Sequence, residues 1–309
     1  MRTLSIVIPV YRAAVTLHEL HQRLIDVLGS LAVEFEIIFV EDCGPDNSWE
    51  VIEELAKTDP HVRGIKLSRN FGQHAATICG ICHAKGEQII TMDDDLEQSP
   101  EDIPKLLTKA EEGYALIYGT YSQRSHAWWR NVTSDIGRWV FNKAIPSLNY
   151  EYTAFRLIDG RVAKALTEFD SPFPFVDGYL AWVTNHCASV PVMHSPRASG
   201  TSNYSLRKLL AHTLNIFVTF SDVPLRIASY LGLLFFFIGM FWFAAVIFGK
   251  ITGYITVSGF ASVVAAIVLF GGIQLLILGV FGEYLGRVNF KSSRKPLFLV
   301  GNTTEQPRQ

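Results

Sequence analysis

The first 111 residues alternate between short apolar runs and segments whose apolar residues recur at helical spacing. Four apolar runs have the length of strands, at residues 4–10, 36–40, 64–67 and 88–92. Four segments have the helical spacing, at residues 16–28, 49–56, 73–84 and 101–111. Strands that alternate with helices and are apolar on both faces are typical of a mostly parallel sheet with helices on both sides. The pattern therefore predicts an α/β domain.

Two much longer apolar stretches lie in the last third of the chain. Residues 227–249 and 251–282 contain no charged residue and are separated by Lys250. At about 1.5 Å of rise per residue, the first stretch reaches about 35 Å, and the hydrocarbon core of a bilayer is about 30 Å thick. We therefore predict a hairpin of two transmembrane helices over residues 226–286. The alternative is a pair of helices buried inside a soluble core.

Positive charges flank the outer ends of this hairpin. Lys208 and Arg226 precede the first apolar stretch, Arg287 and Lys291 follow the second, and Lys250 lies between them. Because Lys and Arg are enriched on the cytoplasmic side of a membrane, we expect both termini in the cytoplasm. The first ten residues have the pattern of a buried strand and lack that of a signal peptide. The N-terminal domain is therefore predicted to be cytosolic and the chain to be a multi-pass membrane protein.

The segment 205–225, just before the hairpin, has an amphipathic pattern. Leu206 and Leu210 lie on one side of a helix built from it, and Arg207 lies largely on the other. This pattern suits a helix in the membrane interface, and the alternative is an ordinary core helix. Residues 287–309 then form a cytoplasmic tail.

Composition agrees with a membrane protein in a reducing compartment. Hydrophobic residues make up 49% of the chain and charged residues 18%, so part of the apolar surface is expected to face lipid. The formal net charge is −2, and we expect no nucleic-acid partner. Cys79 and Cys82 have the spacing of a redox motif but lie inside an apparent helix, so we interpret them as small buried thiols.

Acidic residues follow two of the predicted strands. Glu41 and Asp42 come after the run 36–40, and Asp93–Asp95 come after the run 88–92. In parallel α/β sheets, ligands bind at the carboxyl ends of the strands, so the two acidic turns are expected to border one site. The alternative is a solvated acidic turn that caps the helix at 101–111.

Three adjacent carboxylates need a positive partner, since burying an unpaired charge is costly. Carboxylate oxygens suit Mg²⁺ or Mn²⁺, and magnesium commonly takes one or two carboxylates together with water and substrate phosphates. Alternate residues of an extended loop point the same way, so Asp93 and Asp95 are predicted to converge while Asp94 points elsewhere.

Five segments in order resemble one family of enzymes. They are "SIVIPVYRA", "FVEDCGPDNSWEVI", "LSRNFGQHAATICG", "TMDDDLEQSPEDIPKLL" and "GGIQLLILGVFGEYLGRV". Together they are similar to the GT-A fold glycosyltransferases that load a sugar onto polyprenyl phosphate: dolichol-phosphate-mannose-synthase-like enzymes and the bacterial enzymes that make undecaprenyl-phosphate-linked glucose or aminoarabinose. The resemblance extends from about Leu4 to Val300. It implies a Rossmann-like GT-A domain over residues 1–204.

The resemblance also implies an activity and its partners. The enzyme would transfer one sugar, with inversion and with Mg²⁺ or Mn²⁺, from a nucleotide diphosphate sugar to polyprenyl phosphate. The donor would be a UDP-sugar, with a GDP-sugar as the alternative, and the acceptor would be undecaprenyl phosphate in the cytoplasmic leaflet of a bacterial inner membrane. Four glycines of the second apolar stretch permit close helix packing, so a homo-oligomer is expected: Gly271, Gly272, Gly279 and Gly282.

Site residues are carried over from the matching motifs. The resemblance assigns nucleotide-sugar binding to Pro9, Tyr11, Glu41, Asp42, Ser68, Arg69, Asn70, Asp93 and Asp94, and Asp42 matches the aspartate that hydrogen-bonds the base. Metal binding falls on Asp93, Asp95 and Glu97. Because an anionic acceptor needs cations, Arg124, Arg130 and Arg138 are further candidates for binding the acceptor phosphate, together with Arg197 and Ser202, whose segment resembles a family motif. The catalytic group is Asp93, Asp95, Arg124 and Arg197.

Four positions depart from the family pattern. Glu41 replaces an aspartate, Glu97 a glutamine and Asn203 a lysine, and Ala154 stands where some relatives carry an aspartate before Phe-Arg-Leu. The identity of the sugar therefore stays open. Two alternatives also stay open, a glycosyltransferase with a protein or glycan acceptor and a catalytically silent, membrane-anchored sensor of sugar nucleotides.

Overall fold

The computed structural model describes residues 3–31, 33–121, 152–169, 174–193, 223–252, 259–292 and 296–304. These residues belong to two compact units. The first unit contains the described residues up to 193 together with 296–304, and the second contains residues 223–252 and 259–292.

One mixed sheet forms the centre of the first unit. Its strands within the described residues are β1 (Thr3–Val10), β2 (Glu34–Glu41), β3 (Val62–Leu67), β4 (Gln88–Thr91), β5 (Leu116–Tyr121), β6 (Arg156–Asp159), β7 (Cys187–Val192) and β8 (Val300–Thr303). Their order across the sheet is β7-β5-β6-β4-β1-β2-β3-β8. The central strands β4, β1, β2 and β3 are parallel. Antiparallel pairs flank them, since β6 pairs with β4 and β5, and β8 pairs with β3.

Helices connect these strands. In the first unit they are α1 (Leu17–Gly29), α2 (Ser48–Thr58), α3 (Gln73–His83), α4 (Ile103–Ala110), α5 (Gly160–Leu166) and α6 (Val176–Val183), with a 3₁₀ turn at Pro100–Asp102 before α4. Up to residue 111, each predicted strand and helix is observed, with bounds that differ by at most two residues. The predicted α/β class is therefore confirmed, and the parallel part of the sheet is the part that the pattern predicted.

Strand β1 is buried on both faces. Ile6 and Ile8 belong to the same buried cluster as the apolar face of α1, whose four leucines are fully buried: Leu17, Leu20, Leu24 and Leu28. On the opposite face, α3 packs so closely that a Cβ added at Gly80 would lie 2.3 Å from Val7 Cγ1. Side chains alternate between the two faces along a strand, so β1 is held between α1 and α3. The ends of β1 and its neighbours are thus rigidly placed.

The C-terminal strand was not predicted by the hydrophobic pattern. Residues 300–303 have the polar sequence Val-Gly-Asn-Thr and lie in the segment for which we predicted a tail. They pair antiparallel with β3, and Leu299 O accepts a hydrogen bond of 2.8 Å from Ser68 N. This strand therefore covers the edge of β3 and fixes the start of the loop that follows it.

The second unit consists of two long helices, α7 (Val223–Ile251) and α8 (Phe260–Ser292). Many of their large apolar side chains are exposed, including Phe236, Phe241 and Leu275. Among the residues that the structure describes, no helix combines the length and the apolar character required to cross a membrane. The two helices are present where we predicted them, and their assignment as transmembrane segments is not confirmed.

Candidate functional site

The predicted site lies where the order of the parallel strands reverses. The chain passes from β1 to β2 and β3 on one side, and β4 then pairs with the other side of β1. A crevice forms outside the carboxyl ends of strands at such a point, and α/β proteins bind ligands there. Tyr11, Asp42 and Asp93 follow the ends of β1, β2 and β4. The topology thus brings three of the predicted segments to one edge of the sheet.

Asp94 joins the acidic turn to the segment after β1. Its Oδ2 accepts a hydrogen bond of 2.9 Å from Tyr11 N, and its carbonyl oxygen accepts one of 2.6 Å from Thr16 Oγ1. Both bonds cross the crevice between β1 and β4. Asp94 therefore holds the two loops together.

Asp93 is held by two glutamine amides. Gln73 Nε2 donates to Oδ1 at 2.6 Å, and Gln98 Nε2 donates to Oδ2 at 2.9 Å. Gln98 Oε1 also accepts from the backbone N–H of Asp93 at 2.9 Å, so this side chain clamps both ends of the residue. Burial, together with the negative charges of Asp95, Asp94 and Glu97, raises the pKa of Asp93 to about 7, and Arg156 partly offsets this effect.

This excess of negative charge fits a bound cation. Within the described ranges, no three His, Cys, Asp or Glu side chains converge on a point that could hold an ion, so Asp93, Asp95 and Glu97 do not form a complete cage. A magnesium-like ion needs only one or two protein carboxylates when substrate phosphates supply further oxygens. Asp95 Oδ1 accepts a hydrogen bond of 3.1 Å from Glu97 N. The donor set at Asp93 and Asp95 therefore suits a divalent ion completed by a substrate.

Asp42 organises the start of α3. Its Oδ1 accepts from Phe71 N at 2.7 Å and its Oδ2 accepts from Gly72 N at 2.8 Å. The side chain is buried, which raises its pKa, while the two backbone bonds oppose that rise. The predicted role of Asp42 in binding the base stays a prediction, and the structure adds that this carboxylate places the loop after β3.

Glu41, which replaces the usual aspartate, points into the protein. It is 1% exposed, and its Oε1 accepts a hydrogen bond from Gly44 N. Burial raises the pKa of Glu41, and Lys66, its partner in the register of β2 with β3, acts in the opposite direction. Its buried Oε2 has no hydrogen-bond partner in the described part of the chain. The longer side chain therefore closes the turn after β2.

Two residues that the motifs did not single out connect the loops after β1 and β2. Ser48 Oγ accepts from Ala13 N at 3.0 Å and donates to Asp46 Oδ2 at 2.7 Å. The same Asp46 oxygen accepts from Ala14 N at 3.2 Å. A polar Asp-Asn-Ser turn directly before a helix is a known signal for such local bonds.

A buried ion pair lies behind the acidic turn and was also missed. Arg156 on β6 donates through Nη1 to Asp177 Oδ1, and Tyr118 donates to the same oxygen at 3.2 Å. Arg156 Nε donates to Thr91 Oγ1 at 3.0 Å, and Thr91 in turn donates to Ala154 O at 2.6 Å. A charged residue inside an apolar run, as in Phe-Arg-Leu-Ile, is the signal that could have found it.

Three residues with left-handed backbone conformation surround the same edge of the sheet. Arg12, Cys43 and Leu96 have φ angles of 58°, 51° and 64°, and each lies shortly after the end of β1, β2 or β4. Such conformations are unfavourable for residues other than glycine and are common at functional sites. Their placement supports the assignment of this edge as the site.

The remaining predicted residues divide into two groups. Pro9 is buried in β1, whereas Tyr11, Ser68, Arg69 and Asn70 are exposed beside the strand ends. The residues predicted to bind the acceptor phosphate lie outside the described residues and stay predictions: Arg124, Arg130, Arg138, Arg197 and Ser202. The same holds for Asn203 and for residues 205–222 of the predicted interface helix.

This chain belongs to Glycosyl transferase family 2, whose profile matches residues 5–163, just over half of the chain. The matched segment contains the carboxyl ends of β1, β2 and β4, which border the site. The chain is therefore a glycosyltransferase, and the resemblance inferred from its motifs is confirmed.

Two relatives extend the similarity over almost the whole chain. The chain is 33% identical to the uncharacterized glycosyltransferase YkcC of Bacillus subtilis (strain 168), over 96% of this chain and 92% of that protein. It is also 33% identical to the undecaprenyl-phosphate 4-deoxy-4-formamido-L-arabinose transferase of Shewanella sediminis (strain HAW-EB3), over 98% of this chain and 95% of that protein.

Solved structures agree with the GT-A-like α/β fold. Glucosyl-3-phosphoglycerate synthase from Mycobacterium tuberculosis, solved with phosphoglyceric acid, matches with a TM-score of 0.52 and 17% identity, over 71% of this chain and 79% of that chain. A structure of the same enzyme with Mn²⁺, UDP-glucose and phosphoglyceric acid matches with a TM-score of 0.52 and 16% identity, over 71% of this chain and 78% of that chain. At this identity the likeness establishes the fold.

Proposed function

We propose that the protein transfers a single sugar from a nucleotide diphosphate sugar to polyprenyl phosphate, with inversion at the sugar and with Mg²⁺ or Mn²⁺. The observation that carries this proposal is the acidic turn Asp93–Asp95 at the strand ends of a family 2 glycosyltransferase. The full-length similarity to a transferase named for undecaprenyl phosphate supports the acceptor. The Mn²⁺ and UDP-glucose bound by a structural neighbour support the metal and a UDP-sugar.

In the proposed reaction, the bond between the anomeric carbon and the nucleotide diphosphate breaks, and a bond from that carbon to an oxygen of the lipid phosphate forms. Asp93 and Asp95 would hold the metal, which when bound would supply positive charge to the leaving diphosphate. Gln73 and Gln98 hold the carboxylate of Asp93, and Asp94 keeps the acidic turn against the segment after β1.

No strong general base is required for this reaction. The phosphate oxygen of the acceptor is already anionic at neutral pH, so it can attack without losing a proton. Cations are required to bring that anion to the donor, and Arg124 and Arg197 are the proposed residues, with Arg130, Arg138 and Ser202 as further contacts. The buried Arg156 is a different kind of cation, because Asp177 already neutralises it.

A test of the acceptor compares two lipids that differ by one group. Purified full-length protein is incubated with Mn²⁺ and each of a panel of radiolabelled UDP- and GDP-sugars. The acceptor is either undecaprenyl phosphate or undecaprenol, which lacks the phosphate. We expect label to enter the organic phase when undecaprenyl phosphate is the acceptor and not when undecaprenol replaces it. Transfer to a protein or glycan acceptor without any transfer to the lipid phosphate would instead favour the alternative activity.

We also propose that α7 and α8 place the enzyme in the bacterial cytoplasmic membrane, with the catalytic domain and both termini in the cytoplasm. Exposed apolar side chains along both helices support this location, since an apolar surface of this kind is costly in water. We expect the protein to stay in the membrane pellet after washing with alkaline carbonate and to be released by detergent. Recovery in the carbonate supernatant would contradict the membrane assignment.

A further inference from the structure

Three consecutive residues connect the two acidic turns of the site. The backbone N–H groups of Phe71 and Gly72 bind the carboxylate of Asp42, at 2.7 and 2.8 Å. The side chain of the next residue, Gln73, binds the carboxylate of Asp93 at 2.6 Å. Asp42 follows β2 and Asp93 follows β4, and these strands lie on opposite sides of β1. The segment 71–73, here called the bridge, therefore spans the crevice.

The bridge leads directly into a buried helix. Gly72 has a φ of +91°, a conformation that glycine adopts easily, and α3 begins at the next residue. Residues 75–81 of α3 are buried, and Gly80 lies directly against Val7 of β1. The body of α3 is therefore fixed, while its first residue, Gln73, is exposed and held by the carboxylate of Asp93. The carboxylates of Asp42 and Asp93 are thus connected through hydrogen bonds to three consecutive residues.

We propose that Gln73 is a positioning residue that couples the nucleoside end of the donor site to its metal end. This inference rests on the proposed function, in which the metal binds at Asp93 and Asp95, and on the predicted contact of Asp42 with the base. A cation at Asp93 orders the carboxylate that Gln73 holds. The bridge then keeps Asp42 in the arrangement that the nucleoside requires, so each ligand favours binding of the other.

Binding of a nucleoside without phosphates distinguishes coupling through the protein from direct contact between the metal and the diphosphate. In a sugar nucleotide, the diphosphate would contact the metal directly. Mutual enhancement of metal and sugar-nucleotide binding would therefore not show that protein groups couple the two sites. Uridine has no phosphate to reach the metal. The part of any Mn²⁺ effect on uridine binding that depends on the Gln73 amide must therefore pass through protein groups, and Gln73 is a side chain that joins them across β1.

The experiment measures the affinity of full-length protein for uridine by calorimetry, with and without saturating Mn²⁺. We expect Mn²⁺ to tighten uridine binding about fivefold, the lower end of typical coupling between sites. In Gln73→Met, which keeps the length of the side chain and removes its amide, the ratio of the two affinities falls to about one. Because coupling is reciprocal, uridine should also tighten Mn²⁺ binding about fivefold, as read from the electron paramagnetic resonance signal of free Mn²⁺.

The matched control is Gln22→Met. Gln22 on α1 makes the same kind of amide-to-carboxylate bond, to Asp26 Oδ1 at 2.9 Å, between residues outside the site. This variant should keep the coupling of the wild-type protein, and Gln73→Ala should lose it as Gln73→Met does. Equal uridine affinity with and without Mn²⁺ in the wild-type protein, or unchanged coupling in both Gln73 variants, would overturn the proposal. Sugar transfer by the wild-type protein is measured separately, so failure of the coupling and failure of the proposed function are distinguishable.

Discussion

Replacing Asp95 by asparagine is expected to lower the rate of sugar transfer by about a thousandfold, the upper range for loss of one group that stabilises transition-state charge. The substitution keeps the size of the side chain and removes the negative charge that we assign to the metal. Because Asp95 is partly exposed at a strand end, its neutralisation should leave the fold intact. Asp95→Ala should behave in the same way.

Initial rates at saturating Mn²⁺, together with the melting temperature, test this prediction. Glu112→Gln is the matched control, since it also neutralises one carboxylate but breaks only an ion pair with Lys109 at the surface. We expect normal transfer in the control and a normal melting temperature in both proteins. Full metal-dependent turnover in Asp95→Asn would show that the site assignment is wrong.

Replacing Arg156 by methionine is expected to destabilise the fold by about 3–5 kcal/mol, the usual cost of leaving one partner of a buried ion pair without the other. Arg156 and Asp177 are 2% and 4% exposed, so water cannot replace the lost guanidinium. The hydroxyl of the buried Thr91 loses the hydrogen bond that Arg156 Nε donates to it in the same change. We expect a large fall in the melting temperature.

Arg161→Met is the matched control for this prediction. Arg161 also bonds an aspartate, Asp159, but 92% of its side chain is exposed. Thermal unfolding of the full-length proteins in detergent compares the two variants with the wild type. The control should melt close to the wild-type temperature, and an equally small change in Arg156→Met would mean that the buried pair contributes little to stability.

Hydrophobic spacing predicted the part of the fold in which burial alone determines the elements. The strands and helices up to residue 111 are observed because each strand presents an apolar run to the helices and each helix presents an apolar face to one side of the sheet. The strands that pair antiparallel beside the parallel part of the sheet could not be predicted in this way. Strand β8 has one partner and a polar sequence, so its position depends on hydrogen bonds to β3 and to the Ser68 backbone.

The position of the site could be predicted, and its internal bonds could not. Acidic residues after parallel strands were expected to meet at one edge, and the turns at Asp42 and Asp93 do lie at the ends of β2 and β4, the two parallel strands that flank β1. Gln73 and Gln98 escaped notice because a glutamine in a motif does not reveal which carboxylate it binds. Arg156 on β6 and Asp177 on α6 are 21 residues apart, so a local sequence pattern does not show that they form a pair.

The departures from the family pattern are also clearer in the structure. Glu41 faces the protein interior and closes its own turn, so it does not add a free charge to the crevice. Glu97 lies within the acidic turn, and its charge contributes to the raised pKa of Asp93. Ala154 offers only its carbonyl oxygen, to Thr91. Of these three residues, Glu97 is the one that adds negative charge around Asp93 and so favours a bound cation.

The most direct test of this account is the chemical structure of the product formed from a UDP-sugar, undecaprenyl phosphate and Mn²⁺. Mass spectrometry and NMR should identify one sugar joined through its anomeric carbon to the lipid phosphate, with the anomeric configuration opposite to that of the donor. Formation of this product should stop when EDTA removes the metal. A sugar attached to protein or glycan, a retained anomeric configuration, or the same yield in EDTA would contradict the account.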